Sequence, residues 1–558
     1  MADVNPCARE ETSSRGLAAV TVAAPFLAGM YYEPASALVS LYLIVWLIRC
    51  GIKNDALTIR WSAPLIASAA TALAYLLAGL WGVDRGMAPV GFVKFLPLPL
   101  YALALAQLTE KQRAEIMDLL PLSGAIMTVS SLLLGLIPVA REYFCAGDRL
   151  SGFFMYPNTY ALFLLLGITV LMMRPRWGWK DWCLLLAALI GIALSGSRTV
   201  VVVLVCVGIL YAIFWKDRRR FTLIGISALM MALAAIYAHF SGNIPAFARF
   251  LTISPDSESL LSRLLFHRDA LAVILRNPLG LGYMGYWYTQ GIYQTGLYSV
   301  VHLHNDLLQF LIDVGWVPAG LLVWAVLRSF FRGDLHRRVL IFAATAHLLL
   351  DFDMQFVAMD LLLLLIIEQP PLTKKQLSLG KRHAGIVGAV LIAVCIHIGA
   401  AGTLYYFKDY RDCARVFPGW TQAKLKLLNQ TEEPAAMDNL ARDILSRNEY
   451  VFTAWNARAN AAYSQGDIES MIEYKHRSMY LRRYRLKNYL DYADMLKVAY
   501  DMYLDAGDAC SAEICLAELR EIPALMDAAT ASTSELAWRI SEKSRMTLPE
   551  EYAWLLEM

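Results

Sequence analysis

"AGIVGAVLIAVCIHIGAAGTLYY", Ala384–Tyr406, holds no charged side chain. At 1.5 Å rise per residue a helix of this length covers a hydrocarbon core of about 30 Å. Lys374, Lys375, Lys381 and Arg382 precede it, and a polar tail follows from Lys408. It reads as the last membrane span, dividing a polytopic part, 1–407, from a soluble part, 408–558. Working back from it, comparable apolar windows recur at 16–32, 34–49, 62–81, 88–107, 116–139, 157–173, 181–196, 199–215, 221–240, 306–331, 338–350 and 355–367. The chain is 58% hydrophobic with a mean hydropathy of +0.46, more apolar than soluble domains usually are. The expected fold class is all-α: a polytopic helical membrane protein of about 13 transmembrane helices, with a large outer loop and a C-terminal soluble helical-repeat domain.

Lys and Arg usage orients the spans. Arg9/Arg15, Arg49/Lys53/Arg60, Lys111/Arg113, Arg174/Arg176/Lys180, Lys216/Arg218/Arg219/Arg220, Arg332/Arg337/Arg338 and Lys374/Lys375/Lys381/Arg382 fall in alternate loops, and the short loops between are poor in base. This positive-inside pattern predicts a cytoplasmic N-terminus and, with an odd number of spans, an extracytoplasmic C-terminal domain in a multi-pass protein of the cytoplasmic membrane. The alternation of acids and bases from Asp3 to Arg15 is unlike a cleavable signal, and none is expected. A net charge of +3 argues for no particular partner, and no nucleic acid is expected. The nine cysteines show no zinc-type spacing, and most read as small buried hydrophobes.

Two outer regions are large. The first, 241–301, contains "LLSRLLFHRDALAVILRNP", in which Leu261, Leu264, Leu265, Ala270, Leu271 and Ile274 form a helical stripe ended by Pro278. The second, 408–558, resembles a tetratricopeptide array, with turns at "SQGD" (Ser464–Asp467) and "DAGD" (Asp505–Asp508) spaced more widely than a standard repeat. Stacked helix pairs present a concave groove to a protein partner; a helical cap over the outer face is the equal alternative.

Four polar clusters fall on the predicted outer side. "DRLSGFFMYPNTYALF" offers Arg149 and Asn158 beside Pro157, which otherwise simply starts a helix. "SGSRTVVVV" places Arg198 in a tight turn at a helix start, suited to a phosphate by its planar fork and by the free N–H groups there, or to snorkelling toward headgroups. Arg263, His267 and Arg268 precede "RNPLGLGYMGY", and an amphipathic helix on anionic lipid is the plainer account of them. "VHLHNDLLQF" carries His302, His304 and Asn305. Two histidines with one nearby Asp306 fall short of a zinc set, so no metal is expected and an imidazole that handles a proton is preferred. His302 stays open between a partner of His304 and a loop residue. His347 and Asp351, in "AHLLLDFDMQF", are i, i+4 and share a helix face, a polar pair at the lip of a span.

In this order the clusters resemble the O-antigen ligase and polymerase family of membrane glycosyltransferases. The pattern is carried by Arg149, Gly152, Pro157 and Asn158; by Ser195, Ser197 and Arg198; by Arg263 with Asn277, Pro278, Gly280 and Gly282; and by His304, Asn305, Leu308 and Gln309. It spans roughly Leu133 to Ile367. His267 stands where an aromatic residue is common.

The resemblance implies transfer of a glycan from a polyprenyl (undecaprenyl) diphosphate carrier to a glycan, lipid or protein acceptor hydroxyl on the outer face, with no cofactor. It assigns catalysis to His304, Arg198 and Arg263, and substrate contacts to Arg149, Asn158, Asn305, Lys94, Arg268 and His302. Lys94 lies within a span and needs a partner there. A repeat-unit polymerase is the alternative within the family, and a lipid-linked glycan flippase the alternative outside it. A transporter more often shows internal repeats of spans, which this sequence lacks.

Overall fold

The computed structural model of the protein describes residues 11–53, 55–214, 225, 258–368 and 370–557. The expected span 221–240 (residue 225 apart), the outer-loop portion 241–257, and the cations Arg9, Lys216, Arg218, Arg219 and Arg220 lie outside the described residues. Among those described, the chain is helical apart from two short antiparallel ladders. One pairs Ala56–Arg60 with Gln376–Gly380, and the other pairs Cys145–Ala146 with Arg149–Leu150.

Among the described residues five helices are long and apolar enough to cross a membrane: Glu33–Lys53, Ala63–Trp81, Ala88–Leu105, Glu110–Leu134 and Lys381–Tyr406. Pro157–Met173, Arg198–Phe214 and Val357–Ile367 are shorter and apolar. Several expected spans are broken. The window 306–331 is two helices, Asp306–Val314 and Trp316–Arg332, because Gly315 leaves helical space at φ 80° and ψ −177°. The window 16–32 is the helix Glu11–Ala23 followed by two 3-10 turns, where Pro25 removes a donor and Ala28, Gly29 and Met30 take positive φ. Pro157–Met173 and Val357–Ile367 are buried almost all round, as helices apolar on every side must be. They form the axis on which the site is mounted.

Loops rich in base share one end. The Ala56–Arg60 ladder fastens the loop of Arg60 to that of Lys381. Arg174 bonds Asp118 (Nε to Oδ1, 2.7 Å) and also Asp181, and Arg337 donates to the Glu368 carbonyl at 3.2 Å.

At the other end the large loop and the tail build a common core. Leu265, Phe266, Ala270, Val273 and Ile274 of helix Glu258–Arg276 pack with Leu428, Ala441, Ile444, Val451 and Ala454. The expected stripe on this helix is only partly the buried one: Leu261, Leu265, Ala270 and Ile274 are buried, with Phe266, Asp269 and Val273, while Leu264 and Leu271 face outward. The tail then forms two helical hairpins, Phe452–Ser464 with Ile468–Leu481 and Leu486–Asp505 with Ala509–Ala531. Their turns are alike: Gly466 (φ 77°) and Gly507 (φ 74°) reverse the chain, and Asp467 and Asp508 cap the next helix by accepting from Ser470 N and Ser511 N, both at 3.1 Å. No slack linker follows Tyr406, since Asp409 caps the helix Tyr410–Val416 at once. Ser534 N donates to Thr295 O (2.8 Å), Leu297 N to Ser544 Oγ (2.8 Å), Arg482 to Trp287 O (2.9 Å) and Asn448 Nδ2 to Asp84 Oδ2 (3.1 Å). These bonds fasten the tail to the loops beside the site.

Candidate functional site

Three helix ends and one loop return converge at that end. Pro157 opens the helix Pro157–Met173 and puts Asn158 in its first turn. The helix Trp179–Ser195 closes on Gly196 in the left-handed region (φ 60°), and Arg198 opens the next helix. Arg149, in the short ladder, ties the two together: Nε donates to Ser195 O at 2.7 Å and Nη2 to Asn158 Oδ1 at 2.6 Å.

Asp351 is the hub. Its side chain is 1% exposed. Oδ1 accepts from Tyr156 OH (2.8 Å) and Phe352 N (3.1 Å) and faces His304 Nδ1 at 3.0 Å. Oδ2 accepts from Asn158 Nδ2 at 2.6 Å and stands 3.7 Å from Arg263 Nη2. Burial alone would raise this carboxyl, but the His304 hydrogen bond and the charges of His347, His304 and Arg263 outweigh it and hold Asp351 below the usual carboxylate range. Burial and the Asp351 charge in turn push the Tyr156 phenol well up, keeping it an O–H donor.

An ionised Asp351 only accepts, so His304 must carry its neutral-form proton on Nδ1. That leaves the Nε2 lone pair available. His304 is 25% exposed and lines a cavity of about 580 Å³. Arg149, Asn158, Arg198 and Arg263 line the same cavity, and Val202, Val203, Cys206, Phe342, Ala346 and Leu350 give it an apolar flank. The site is thus cationic at one part and greasy at another, with an oriented imidazole on its wall. Among the described residues no group of three or more His, Cys, Asp or Glu side chains is arranged to hold a metal ion.

The backbone of His304 is held as well. His267, in place of the expected aromatic residue, donates Nε2–H to His304 O at 3.2 Å; burial, first of its causes, lowers the His267 pKa. Asn305 acts as a brace. Its Oδ1 caps the helix Asp306–Val314 through Leu308 N (3.0 Å), and its Nδ2 donates to Leu349 O (2.9 Å). Gln309 accepts from Leu303 N at 2.7 Å. The Asn277–Gly282 turn locks against the far end of this helix through Leu281 N to Ile312 O (2.7 Å), Gly282 N to Asp313 O (3.0 Å) and Trp316 N to Pro278 O (2.9 Å). A Cβ on Gly280 would lie 2.5 Å from Asp313 O.

The remaining candidates lie elsewhere. Lys94 and His302 line a second cavity of about 190 Å³, with Tyr31, Glu33, Tyr283 and Tyr406, closed over by Trp420 and Gln422 of the tail. Lys94 Nζ sits 4.9 Å from the Tyr31 ring centre and 5.5 Å from that of Tyr283. His302 Nε2 is 3.2 Å from Tyr31 OH. Burial, then the charges of Lys94 and His304, hold its pKa well below the ordinary value. The Phe352 ring packs against both His302 and His304, at 5.5 and 5.1 Å. Arg268 is exposed on helix Glu258–Arg276 and lines neither cavity.

The pairing of His347 with Asp351 does not form. The helix Leu335–Leu348 ends before Asp351, and His347 Nδ1 instead meets Asp353 Oδ2 at 2.5 Å, with Thr159 on Oδ1 at 2.7 Å. Asp351 and Tyr156 are the members of the site that the sequence pattern does not assign to it. Their signal was the "DFD" string and the aromatic residue immediately before Pro157.

This is a helical integral membrane protein with a basic, imidazole-bearing cavity at one end of its helices. Residues 182–325 match the family model described as O-antigen ligase, which supports that family and its ligase or polymerase-like glycan chemistry. The matched segment contains Arg198, Arg263 and His304; Arg149, Asn158 and Asp351 lie outside it. No curated protein matches the chain.

Proposed function

We propose that this protein is a glycosyltransferase of the O-antigen ligase type, moving a glycan from a polyprenyl diphosphate to an acceptor hydroxyl on the outer face of the cytoplasmic membrane. The observation that carries this reading is the meeting of Arg149, Asn158, Arg198, Arg263 and His304 around one cavity, with Asp351 behind the imidazole. A diphosphate leaving group brings at least two negative charges to the membrane surface, and guanidiniums bind such oxygens in pairs without losing charge.

The acceptor O–H gives its proton to His304 Nε2 as its oxygen attacks the anomeric carbon. The bond from that carbon to the diphosphate oxygen breaks, and the electron pair stays on the diphosphate. Arg198 and Arg263 stabilise the charge that develops there, an effect worth about 10²- to 10³-fold for a single donor in comparable sites. Asp351 stabilises the imidazolium and fixes its orientation. Arg149 and Asn158 hold the turn that presents Arg198. Lys94 and His302 contact sugar from the second cavity, and Asn305 positions His304. Transfer to another repeat unit would use the same chemistry and make the protein a polymerase. The hairpins of the tail, tetratricopeptide-like in plan, offer a binding surface to a protein partner.

The test is purified protein in lipid nanodiscs, supplied with a polyprenyl-diphosphate oligosaccharide and a panel of lipid, glycan and peptide acceptors, with chelator present. Release of carrier diphosphate coupled to transfer, lost in Arg198→Ala and His304→Ala, supports the enzyme. Full transfer by both variants sinks the site. Passage of intact donor across the bilayer without bond cleavage makes it a flippase.

A further inference from the structure

The helix Glu258–Arg276 has two apolar faces, and among the described residues only one of them is covered by protein. Leu260, Leu264, Leu271 and Leu275 recur at steps of four and seven, so they share a face. Leu264 is 48% exposed, Leu271 52% and Leu275 70%. Arg268 stands exposed within the same stripe. Isolated exposed leucines need no account, but an ordered row of them marks an interaction surface.

The surroundings of this row identify what covers it. Trp81 ends the candidate span Ala63–Trp81, and its indole N–H donates to Leu279 O at 3.3 Å. Trp316 opens the helix Trp316–Arg332, and its indole N–H donates to Ile274 O at 3.2 Å. Leu80 and Val317, next to these tryptophans, are exposed too, as is Leu279. Tryptophan at the end of a span sits at headgroup level, ring toward the acyl chains and N–H toward polar groups. Trp316 spends that N–H on the last turn of this helix and Trp81 on the turn that follows it. The C-terminal end of the leucine row thus adjoins exposed Leu80, Leu279 and Val317 beside the two tryptophans.

We propose that helix Glu258–Arg276 lies in the membrane interface, with Leu264, Leu271 and Leu275 among the acyl chains of the adjoining leaflet and Arg268 at the level of the lipid phosphates. An amphipathic helix with a cation on its boundary is built for that position. Arg263 and Leu260 of the same helix line the large cavity. Seating the helix in the interface sets the Arg263 guanidinium at headgroup depth, where a lipid-borne phosphate arrives without leaving the membrane. The proposal stands on the helix surface alone and does not depend on the transfer reaction.

The test uses full-length protein in nanodiscs of phosphatidylethanolamine and phosphatidylglycerol in equal amounts, in a background lacking accessible native cysteines. Spin labels are placed by Leu264→Cys, Leu271→Cys and Leu275→Cys. Leu77→Cys, in a candidate span, serves as the lipid reference and Glu469→Cys, in the tail, as the aqueous one. The expected result is relaxation by oxygen exceeding relaxation by a water-soluble nickel chelate at all three positions, as at Leu77, with the reverse at Glu469. Nickel dominating at the three positions overturns the proposal, and so does a label shielded from both reagents, which would mean that protein covers the face. In a second measurement, Leu271→Asp with Leu275→Asp should lower the oxygen-to-nickel ratio of the Leu264→Cys label severalfold. An unchanged ratio also counts against insertion.

Discussion

His304 Nδ1 lies 3.0 Å from Asp351 Oδ1, across 47 residues of sequence. The contact joins the return of the large loop to the turn between two helices, and it fixes which imidazole nitrogen faces the cavity. Three further donors hold the carboxylate: Tyr156 OH, Asn158 Nδ2 and Phe352 N.

Asp351→Asn keeps the shape but removes the charge and turns an amide donor toward donors already in place. Transfer is expected to fall by about 10²-fold or more, within the range for a disabled general base, with the loss in kcat and little change in the KM for donor. An Asp351→Asn enzyme within a few-fold of wild type would show that the imidazole needs no partner.

Arg198→Lys and Arg263→Lys retain charge and lose the planar fork. If each guanidinium holds two oxygens of a diphosphate, each lysine variant should raise the KM for donor by roughly tenfold, about 1.4 kcal/mol, and each alanine variant by more. Equal activity of arginine and lysine forms would mean a point charge suffices. Donor titrations at low and high salt separate the two, since screening weakens a point-charge contact more.

The polar motifs were legible because membrane surfaces offer few reasons to place arginine, asparagine and histidine in tight turns. Arg149, Asn158, Arg198, Arg263 and His304 accordingly share one cavity. Asp351 was legible as a polar residue but not with its partner. Reading His347 and Asp351 as i, i+4 assumes a helix that runs on, and this one stops at Leu348. Lys94 reads as a buried cation from sequence, but which cavity it enters depends on how the helix Ala88–Phe95 is rotated before the break at Leu96 and Pro97. The window 306–331 looked continuous because hydropathy is blind to backbone angle, and Gly315 is one residue among many apolar ones. On helix Glu258–Arg276 both faces carry leucine, so periodicity could not say which face the protein buries.

Asp84 gives the tail a pH-dependent hold. Burial, the largest cause, pushes this carboxyl up to about 6, against lowering bonds from Thr421, Asn448, Met87 and Gly86. A raised folded pKa contributes stability that is complete below the unfolded value near 4 and is lost as pH rises through about 6. Docking of the tail through Asn448 should therefore be tighter at pH 5 than at pH 8 by roughly tenfold, because part of the effect is already lost between pH 4 and pH 5. Limited proteolysis or hydrogen exchange across Thr421–Leu445 measures it. Asp84→Asn should remove the pH dependence; its persistence in that variant would place the titrating group elsewhere.

Gly280 tests whether the loop turn sets the position of His304. Its φ is 82°, and an added Cβ would stand 2.5 Å from Asp313 O and 2.6 Å from Gly315 N. Neither neighbour is a side-chain tip that can swing away, because both are backbone at the junction of two helices. Gly280→Ala must therefore strain the turn and press on the end of the helix Asp306–Val314, whose opposite end carries Asn305 and follows His304. A loss of about 1–3 kcal/mol in stability is expected from the positive φ and the clash together. A displaced imidazole adds a second signature, a fall in kcat larger than the change in donor KM, because the arginines stay in place while the base moves. Gly296→Ala is the control: its Cβ also meets a neighbour, Ala537 Cβ at 2.4 Å, but at the seam with the tail. It should lower stability without the kcat signature, and a matching kcat loss there would assign both effects to general loosening of the loop.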